Sequence, residues 1–262
     1  MNEKIQKRVK WAESPFPELY EDTLKTPLCE FLAKGKHKSE LILIHHLHEV
    51  AYPFIKSIAQ GYKIRKIIGI PYSSVDSVVE KLGNTFDVVV PTQLDEIPII
   101  VKQAVNSSNK PVIIEEIGGY TTDIAKFLDE CKNVVGVVED THQGHWRWKN
   151  ILLKRLAVLS VAYSDTKRIE DHPVAQSIID GLTNYLYQNK LKQLKNQNVL
   201  VLGFGNIGEQ LCRYIKPLCK KLSVYDVDPI RALKANVDYN VSRDFSNMDI
   251  IIGVTGKQSV TI

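Results

Sequence analysis

The sequence predicts an α/β protein made of two doubly wound parallel sheets, of which the second is incomplete. Short runs rich in Val and Ile alternate with segments whose apolar residues recur at helical spacing. These runs are apolar on both faces, as is typical of parallel strands that helices cover on each side. A glycine-rich turn follows a late strand, which predicts that the second domain is Rossmann-like.

The 262 residues are enough for two such domains, and the pattern divides them into four segments. Residues 1–37 are predicted to be a helical lead-in, and residues 38–173 a first α/β domain for the substrate and catalysis. A connecting helix follows over 174–197, with its helical pattern at 174–194, and a partial NAD-binding domain covers 198–262. In the first domain, strands are predicted at 41–44, 66–70, 86–90, 111–114 and 133–138, separated by helices at 50–60, 73–82, 94–106 and 122–131.

The second domain begins with a dinucleotide fingerprint. A buried strand at 198–202 turns on Gly203, Gly205 allows the backbone to approach a pyrophosphate, and Gly208 allows the next helix to pack closely on the sheet. A second strand ends at Asp226, where a carboxylate can accept hydrogen bonds from a ribose diol and favours NAD over NADP. The predicted cofactor-binding residues of this fingerprint are Gly203, Gly205, Asn206, Ile207, Gly208 and Asp226.

Composition and charge exclude several classes of protein. The net charge of +4 is modest and spread along the chain, so no nucleic-acid partner is expected. No apolar run approaches the length of a membrane span, and no signal-peptide core follows the charged start. Cys29, Cys131, Cys212 and Cys219 share no metal-like or disulfide-like spacing. A cytoplasmic protein without a structural metal is therefore predicted.

Polar clusters follow three strands of the first domain, at 45–49, 115–119 and 139–144. The carboxyl ends of parallel strands form one edge of a sheet, which is where open α/β folds bind ligands. Three histidines in the first cluster could ligate a metal, but neighbouring strand residues point to opposite faces. The carboxylates of the second cluster could equally be solvated loop acids.

A fourth polar segment runs from Ser164 to His172. If it starts a helix, Lys167 and Asp171 lie four residues apart on one face. They could form a surface ion pair, which the spacing alone favours, or a lysine of lowered pKa paired with a carboxylate in a cleft.

In their order and spacing, these segments resemble the adenosylhomocysteinase family. The segments that carry the resemblance are Val138-Glu-Asp-Thr-His-Gln-Gly144 with Arg147, Ser164-Asp-Thr-Lys-Arg-Ile-Glu-Asp171, Ser177-Ile-Ile-Asp-Gly-Leu182, the fingerprint, Asp226-Val-Asp-Pro229 and Val254-Thr-Gly256. Glu115-Glu116 with its glycine pair and Leu47-His48 are looser matches. The chain is thus similar to a divergent, C-terminally truncated family member.

The resemblance implies an NAD-dependent hydrolase that acts on adenosylhomocysteine, or a related nucleoside thioether, by 3′-oxidation and elimination. It implies that Lys167, oriented by Asp171, handles the 3′-hydroxyl proton. Glu116 or Glu115 would be the acid near C4′ and C5′, and His48 would lie near the leaving group. It further implies substrate contacts from Asp140 and Glu115, cofactor contacts from Thr141, His142, Gln143 and Thr255, and a homo-oligomer, either dimer or tetramer.

Several positions depart from the family pattern. Substitutions relative to that pattern fall at Val50, Ala162, His142, Gln143 and His172, and the family's closing loop with its catalytic histidine is expected beyond residue 262. Two alternatives therefore stay open: a regulatory protein that binds NAD or a nucleoside without catalysis, and a plain NAD-dependent dehydrogenase. The Lys167 segment argues against the dehydrogenase.

Overall fold

A computed structural model describes residues 38–256, which form two compact units that divide between Ala162 and Tyr163. The predicted lead-in over 1–37 lies outside the described residues. The sequence placed the domain boundary after residue 173, whereas the segment from Tyr163 onward belongs to the second unit. The unit that ends at Ala162 is called unit 1, and the unit that begins at Tyr163 is called unit 2.

Unit 1 contains one six-stranded parallel sheet with helices between the strands. The strands are β1 (Glu40–His45), β2 (Lys63–Gly69), β3 (Val88–Val89), β4 (Val112–Glu116), β5 (Val134–Glu139) and β6 (Ala157–Ser160). The helices are α1 (Ala51–Ile58), α2 (Asp76–Gly83), α3 (Ile97–Asn106), α4 (Ala125–Glu130) and α5 (His142–Trp148). The strand order is β3-β2-β1-β4-β5-β6, so the chain reverses direction across the sheet between β1 and β4. The predicted doubly wound fold is confirmed.

The core of unit 1 forms on both faces of this sheet. Leu41 and Leu43 of β1 pack in one cluster with α1 and α2, while Ile42 and Ile44 pack in another with α3 and α4. These four side chains are at most 6% exposed. Fully burying an aliphatic side chain of this size stabilises a fold by about 1.5–3 kcal/mol, which explains why β1 is apolar on both faces.

Arg155 stabilises the end of α4. Its guanidinium donates to the backbone oxygens of Leu128 (3.1 Å), Val134 (2.8 Å) and Cys131, and Nε donates to the oxygen of Asp129 (3.0 Å). Leu128, Asp129 and Cys131 lie at the end of α4, where carbonyls lack intrahelical donors, and Val134 is the first residue of β5. A side chain that is itself exposed therefore connects α4 to the start of β5.

We predict that Arg155→Met lowers the free energy of unfolding by about 2 kcal/mol, since each net hydrogen bond contributes about 0.5–1.5 kcal/mol. Arg155→Lys should lose most of the same stability, because an ammonium cannot reach four carbonyls in a fixed fork. Urea unfolding followed by circular dichroism measures both variants. Equal stability of Arg155→Lys and the wild type would contradict this account.

Unit 2 contains a smaller, four-stranded parallel sheet. Its strands are β7 (Asn198–Leu202), β8 (Lys221–Tyr225), β9 (Asn240–Val241) and β10 (Ile250–Gly253), and its helices are α6 (Asp171–Gln188), α7 (Asn206–Ile215) and α8 (Pro229–Ala235). The strand order is β10-β7-β8-β9, so the chain again reverses direction across the sheet, here between β7 and β10. The helix predicted over 174–194 begins at Asp171 and ends at Gln188, because the chain turns at Lys190 with a φ of 54°. Among residues 38–256, no helix has the length and apolar character needed to cross a membrane.

Candidate functional site

The fingerprint loop of unit 2 makes a sharp turn between β7 and α7. Gly203 has a φ of +103°, a left-handed conformation that side chains rarely adopt. A Cβ on Gly203 would lie 3.0 Å from both Val254 O and Thr255 Cγ2, so the segment after β10 closes directly on this turn. Thr255, predicted to contact the cofactor, therefore lies beside the fingerprint loop.

Gly208 holds the first turn of α7 against the same loop. A Cβ at this position would collide with the carbonyl oxygen of Gly203. The helix thus begins directly above the loop, with Gly205 as its N-cap. The first N–H groups of a helix have no intrahelical acceptor, so those of Asn206 and Ile207 can bind a phosphate there.

Asp226 anchors this loop as well as offering an acceptor for a ribose. Its Oδ2 accepts the N–H of Phe204 at 2.6 Å, its Oδ1 accepts the N–H of Asp228 at 2.8 Å, and the residue is 9% exposed. A carboxylate has about four lone-pair sites, so each oxygen retains one for a ribose hydroxyl. The sequence identified the acid at the end of β8 but not its bond to the loop.

Arg231 is a cation near the loop that the sequence interpretation missed. Its Nη1 would lie 3.4 Å from a Cβ on Gly205, and its Nε lies 3.7 Å from Asp228 Oδ2. Asp228 is the N-cap of α8, and Arg231 lies three residues after it, in the first turn of that helix. This spacing in the sequence could have identified Arg231 as a cation near the loop. A guanidinium beside the glycine of closest backbone approach suits a pyrophosphate. The glycines, the helix start, the acid and this cation together fit NAD.

We predict that Asp226→Asn lowers the affinity for NAD about tenfold, because the charged acceptors of the ribose diol and of Phe204 N–H are both weakened. The preference for NAD over NADP should shrink as well, since the negative charge that repels a 2′-phosphate is lost. Isothermal titration calorimetry with both dinucleotides measures this. Unchanged affinity for NAD would place the ribose elsewhere.

In unit 1, Glu116 at the end of β4 is fully buried. Its Oε1 accepts the hydroxyl of Thr121 (2.6 Å) and the indole N–H of Trp148 (2.7 Å), and its Oε2 accepts the N–H of Thr121 (2.9 Å). Burial, with the neighbouring Glu139 carboxylate, raises the pKa of Glu116 to about 7. Three donors and complete burial give this side chain a structural role in the described conformation.

Glu139 is a second buried carboxylate, paired in register with Glu116 on the adjacent strand β5. It accepts the N–H groups of Gly118 (3.1 Å) and Gly119 (2.8 Å), and both the N–H (2.6 Å) and the hydroxyl (2.7 Å) of Thr141. The residue therefore fixes the glycine turn after β4 and the start of α5. Sequence reasoning placed Glu139 in a polar cluster but did not select it as a site residue.

The other predicted residues of this edge occupy different environments. Thr141 is the N-cap of α5, and its hydroxyl accepts the N–H of Gly144 at 3.0 Å. His142 packs against Trp146 with ring centroids 6.2 Å apart, and Gln143 is exposed. Asp140 and Glu115 are half-buried at the ends of β5 and β4. The contacts predicted from these residues to substrate and cofactor stay predictions.

Histidines and tyrosines gather after β1 and β2. His46 Nδ1 bonds to Ser73 Oγ, and its ring stacks on that of His48 at 6.3 Å with an interplanar angle of 19°. The Tyr72 ring lies 5.9 Å from that of His46, and its hydroxyl lies 3.2 Å from that of Tyr120. Over residues 38–256, no group of three His, Cys, Asp or Glu side chains is arranged to hold a metal ion.

Lys167 and Asp171 both lie in unit 2, where α6 begins. Lys167 Nζ lies 2.7 Å from Glu170 Oε2, a partner that the sequence interpretation did not select, and the lysine side chain is 19% exposed. Asp171 is the first residue of α6. His172 Nδ1 bonds to Tyr214 Oη at 2.7 Å, which places this segment against the last turn of α7.

The parallel sheet of unit 2, with its glycine turn and helix N-terminus beside an acid, defines a Rossmann-fold dinucleotide-binding domain. Among solved structures, a dipicolinate synthase chain from Bacillus halodurans superimposes with a TM-score of 0.52 at 15% identity, over 84% of this chain and 75% of that chain. That likeness concerns the fold alone. No protein-family model matches the chain.

Among curated proteins, the chain is 28% identical over 215 residues to the adenosylhomocysteinase of Thermoplasma volcanium, covering 76% of this chain and 51% of that protein. It is 31% identical over 168 residues to the S-inosyl-L-homocysteine hydrolase of Methanopyrus kandleri, covering 58% and 38% respectively. The chain therefore spans about half, or less, of these relatives. The predicted resemblance is confirmed at modest identity: the chain is similar to the adenosylhomocysteinases, and NAD is the cofactor that this similarity and the loop geometry indicate.

Proposed function

We propose that the chain is an NAD-dependent hydrolase of the adenosylhomocysteinase type, acting on adenosylhomocysteine or a related nucleoside thioether. The observation that carries this proposal is the fingerprint loop, anchored by Asp226 and flanked by Arg231, in the same unit as Lys167. The Lys167 segment, which is part of the resemblance to the adenosylhomocysteinases, favours a resident redox cofactor over a dehydrogenase co-substrate. Unit 2 would hold the cofactor, and unit 1 the nucleoside.

Some residues of unit 2 would bind NAD, and Lys167 would transfer a proton. NAD, when bound, supplies a hydride acceptor for the oxidation of a ribose hydroxyl. The N–H groups at the start of α7, with Arg231, would bind its phosphates, while Asp226 would accept from its ribose. Lys167, whose Nζ lies 2.7 Å from Glu170 Oε2, would pass its own proton to that carboxylate and, as the neutral amine, take the proton of the substrate 3′-hydroxyl.

We predict that Lys167→Ala lowers turnover of adenosylhomocysteine by about 10²–10⁴-fold, the usual contribution of a positioned acid–base group. The amount of NAD that co-purifies should not change. Release of homocysteine, followed with a thiol reagent, measures turnover. Arg168→Ala is the matched control, because Arg168 is the neighbouring cation, is 69% exposed and lies 3.9 Å from Asp165. Turnover that survives Lys167→Ala would contradict the assigned role.

A second candidate function is a binding or regulatory protein without catalysis. It is favoured by Glu116, one of the two acids that the resemblance offers for C4′ and C5′, because its burial and three donors keep it from a substrate. Tight NAD binding without turnover of adenosylhomocysteine or inosylhomocysteine would support this second function and exclude the hydrolase.

We also propose that the protein works in the cytoplasm as a homodimer or homotetramer. The free thiols of Cys131, Cys212 and Cys219 suit a reducing compartment, and the resemblance implies the oligomer. Light scattering of the purified protein measures the assembly. A monomer at micromolar concentration would contradict the expected oligomer.

A further inference from the structure

The cluster after β1 and β2 lies at the carboxyl edge of the unit 1 sheet, beside the reversal between β1 and β4. Ile44 pairs with Glu116 on β4, and His45 pairs with Gly69 on β2. Strand β1 thus lies between β2 and β4, and His46 follows its last residue. In open α/β sheets, ligands bind at this reversal, outside the carboxyl ends of the strands. His46 therefore lies at the edge where open α/β sheets bind ligands.

We propose that Ser73 holds His46 as a hydrogen-bond acceptor for an uncharged nucleoside at the carboxyl edge of the unit 1 sheet. This inference rests on the proposed function, which names a nucleoside substrate, and it adds the residue that recognises it. Neither His46 nor Ser73 belongs to the segments that carry the family resemblance.

We assign the ring proton of His46 to Nδ1 from the hydrogen bonds of Ser73. The Ser73 hydroxyl has one proton, which it donates to Ile70 O at 3.4 Å. Its oxygen then accepts the Nδ1–H of His46. With the proton on Nδ1, the lone pair of the neutral ring lies on Nε2. Ser73 is thus a positioning residue, and His46 Nε2 is the acceptor.

The surroundings of His46 suit a flat, uncharged ligand. The rings of His48 and Tyr72 lie 6.3 and 5.9 Å from it, and aromatic faces of this kind stack on nucleobases. Burial and the neighbouring His45 and His48 lower the pKa of His46 to about 4, so it carries no charge for a phosphate at neutral pH. Arg147, a cation at this edge, donates to Gly118 O at 2.8 Å.

The test measures binding of adenosine, inosine and AMP to the full chain by calorimetry at pH 7.5. His46→Phe keeps the ring stack but removes the acceptor, whereas His46→Gln places an amide oxygen near the position of Nε2. We expect His46→Phe to weaken adenosine or inosine binding at least about tenfold, and His46→Gln to stay within about threefold of wild type. Ser73→Ala should weaken binding about fivefold through the loss of the fixed tautomer.

The nucleosides should bind at least about tenfold more tightly than AMP, and NAD affinity should be the same in every variant. Equal nucleoside affinity of His46→Phe and wild type would overturn the inference, as would AMP binding as tightly as adenosine. Absence of binding of both nucleosides to the wild type would overturn it too. Nucleoside binding that depends on His46, in a protein without hydrolysis, would instead uphold this inference while the proposed hydrolase fails.

Discussion

Gly208→Ala is expected to abolish measurable NAD binding and to lower the free energy of unfolding by about 2–4 kcal/mol. The added methyl group would collide with the carbonyl oxygen of Gly203, which is backbone and cannot rotate away. The first turn of α7 must then move away from the loop, so its N–H groups no longer point towards the phosphates. Loss of two such charge-assisted bonds weakens binding at least about 100-fold.

Gly181→Ala is the matched control for this result. Gly181 is also a helical glycine of unit 2, but a Cβ there would meet no atom within 4 Å. Because alanine is the better helix former, this variant should gain about 0.5–1 kcal/mol and bind NAD normally. Calorimetric titration with NAD and urea unfolding separate the two variants. If Gly208→Ala bound NAD like Gly181→Ala, the fingerprint loop would not be the dinucleotide site.

The second large effect is the pH dependence that Glu116 gives to stability. Its pKa is about 7 in the folded chain and near 4.5 when unfolded. Between these values the folded state binds more protons, so this contribution is fully present below pH 4.5 and is lost as pH rises through 7. The loss amounts to as much as about 3 kcal/mol, from 1.36 kcal/mol per pKa unit.

His46 acts in the opposite direction. Its pKa falls from 6.5 to about 4 on folding, so its contribution is present above pH 6.5 and is lost as pH falls towards 4. His48 shifts in the same direction, because of its burial and the nearby His45. We therefore expect the stability of the wild type to rise only slightly with pH between 4.5 and 6.5, because Glu116 offsets part of the rise that His46 and His48 give there.

Replacing Glu116 or His46 should show the pH dependence of stability that the remaining groups give. Glu116→Gln loses the bond from Thr121 N–H, which lowers stability by a constant amount, but its stability should rise steadily with pH from 4 to 6.5. His46→Gln should instead show no rise below pH 6.5, where only His48 opposes Glu116, and should lose stability as pH rises from 6.5 to 7. Urea unfolding at half-unit pH intervals gives the slopes. Parallel profiles for wild type and Glu116→Gln would show that Glu116 titrates normally in the folded chain.

The sequence was sufficient for the fold where strands are long and apolar. β1 and β7 are buried on both faces, and such runs have few other structural solutions. β6 was missed because it has four residues, of which Ala157 and Leu159 are exposed. An edge strand of this kind is fixed by pairing with β5, a contact that no local pattern reveals.

In the candidate site, too, local features could be predicted from the sequence and long-range contacts could not. Gly203, Gly208 and Asp226 could be predicted because their roles follow from spacing along one strand–turn–helix unit. The partners of Glu116 and Glu139 could not, since Trp148 is 32 residues away from the first and Gly118 is 21 residues away from the second. Such contacts depend on how the strands align in the sheet.

The close approach of Gly144 to Glu139 has a consequence for how this protein can vary among related organisms. A methyl group at position 144 would occupy the space of the Glu139 carboxylate. An alanine there is compatible with the fold only beside a shorter acid, which could not reach Gly118 and Gly119 in the same way. Positions 139 and 144 should therefore change together or not at all, and paired substitution across natural variants would record this steric constraint.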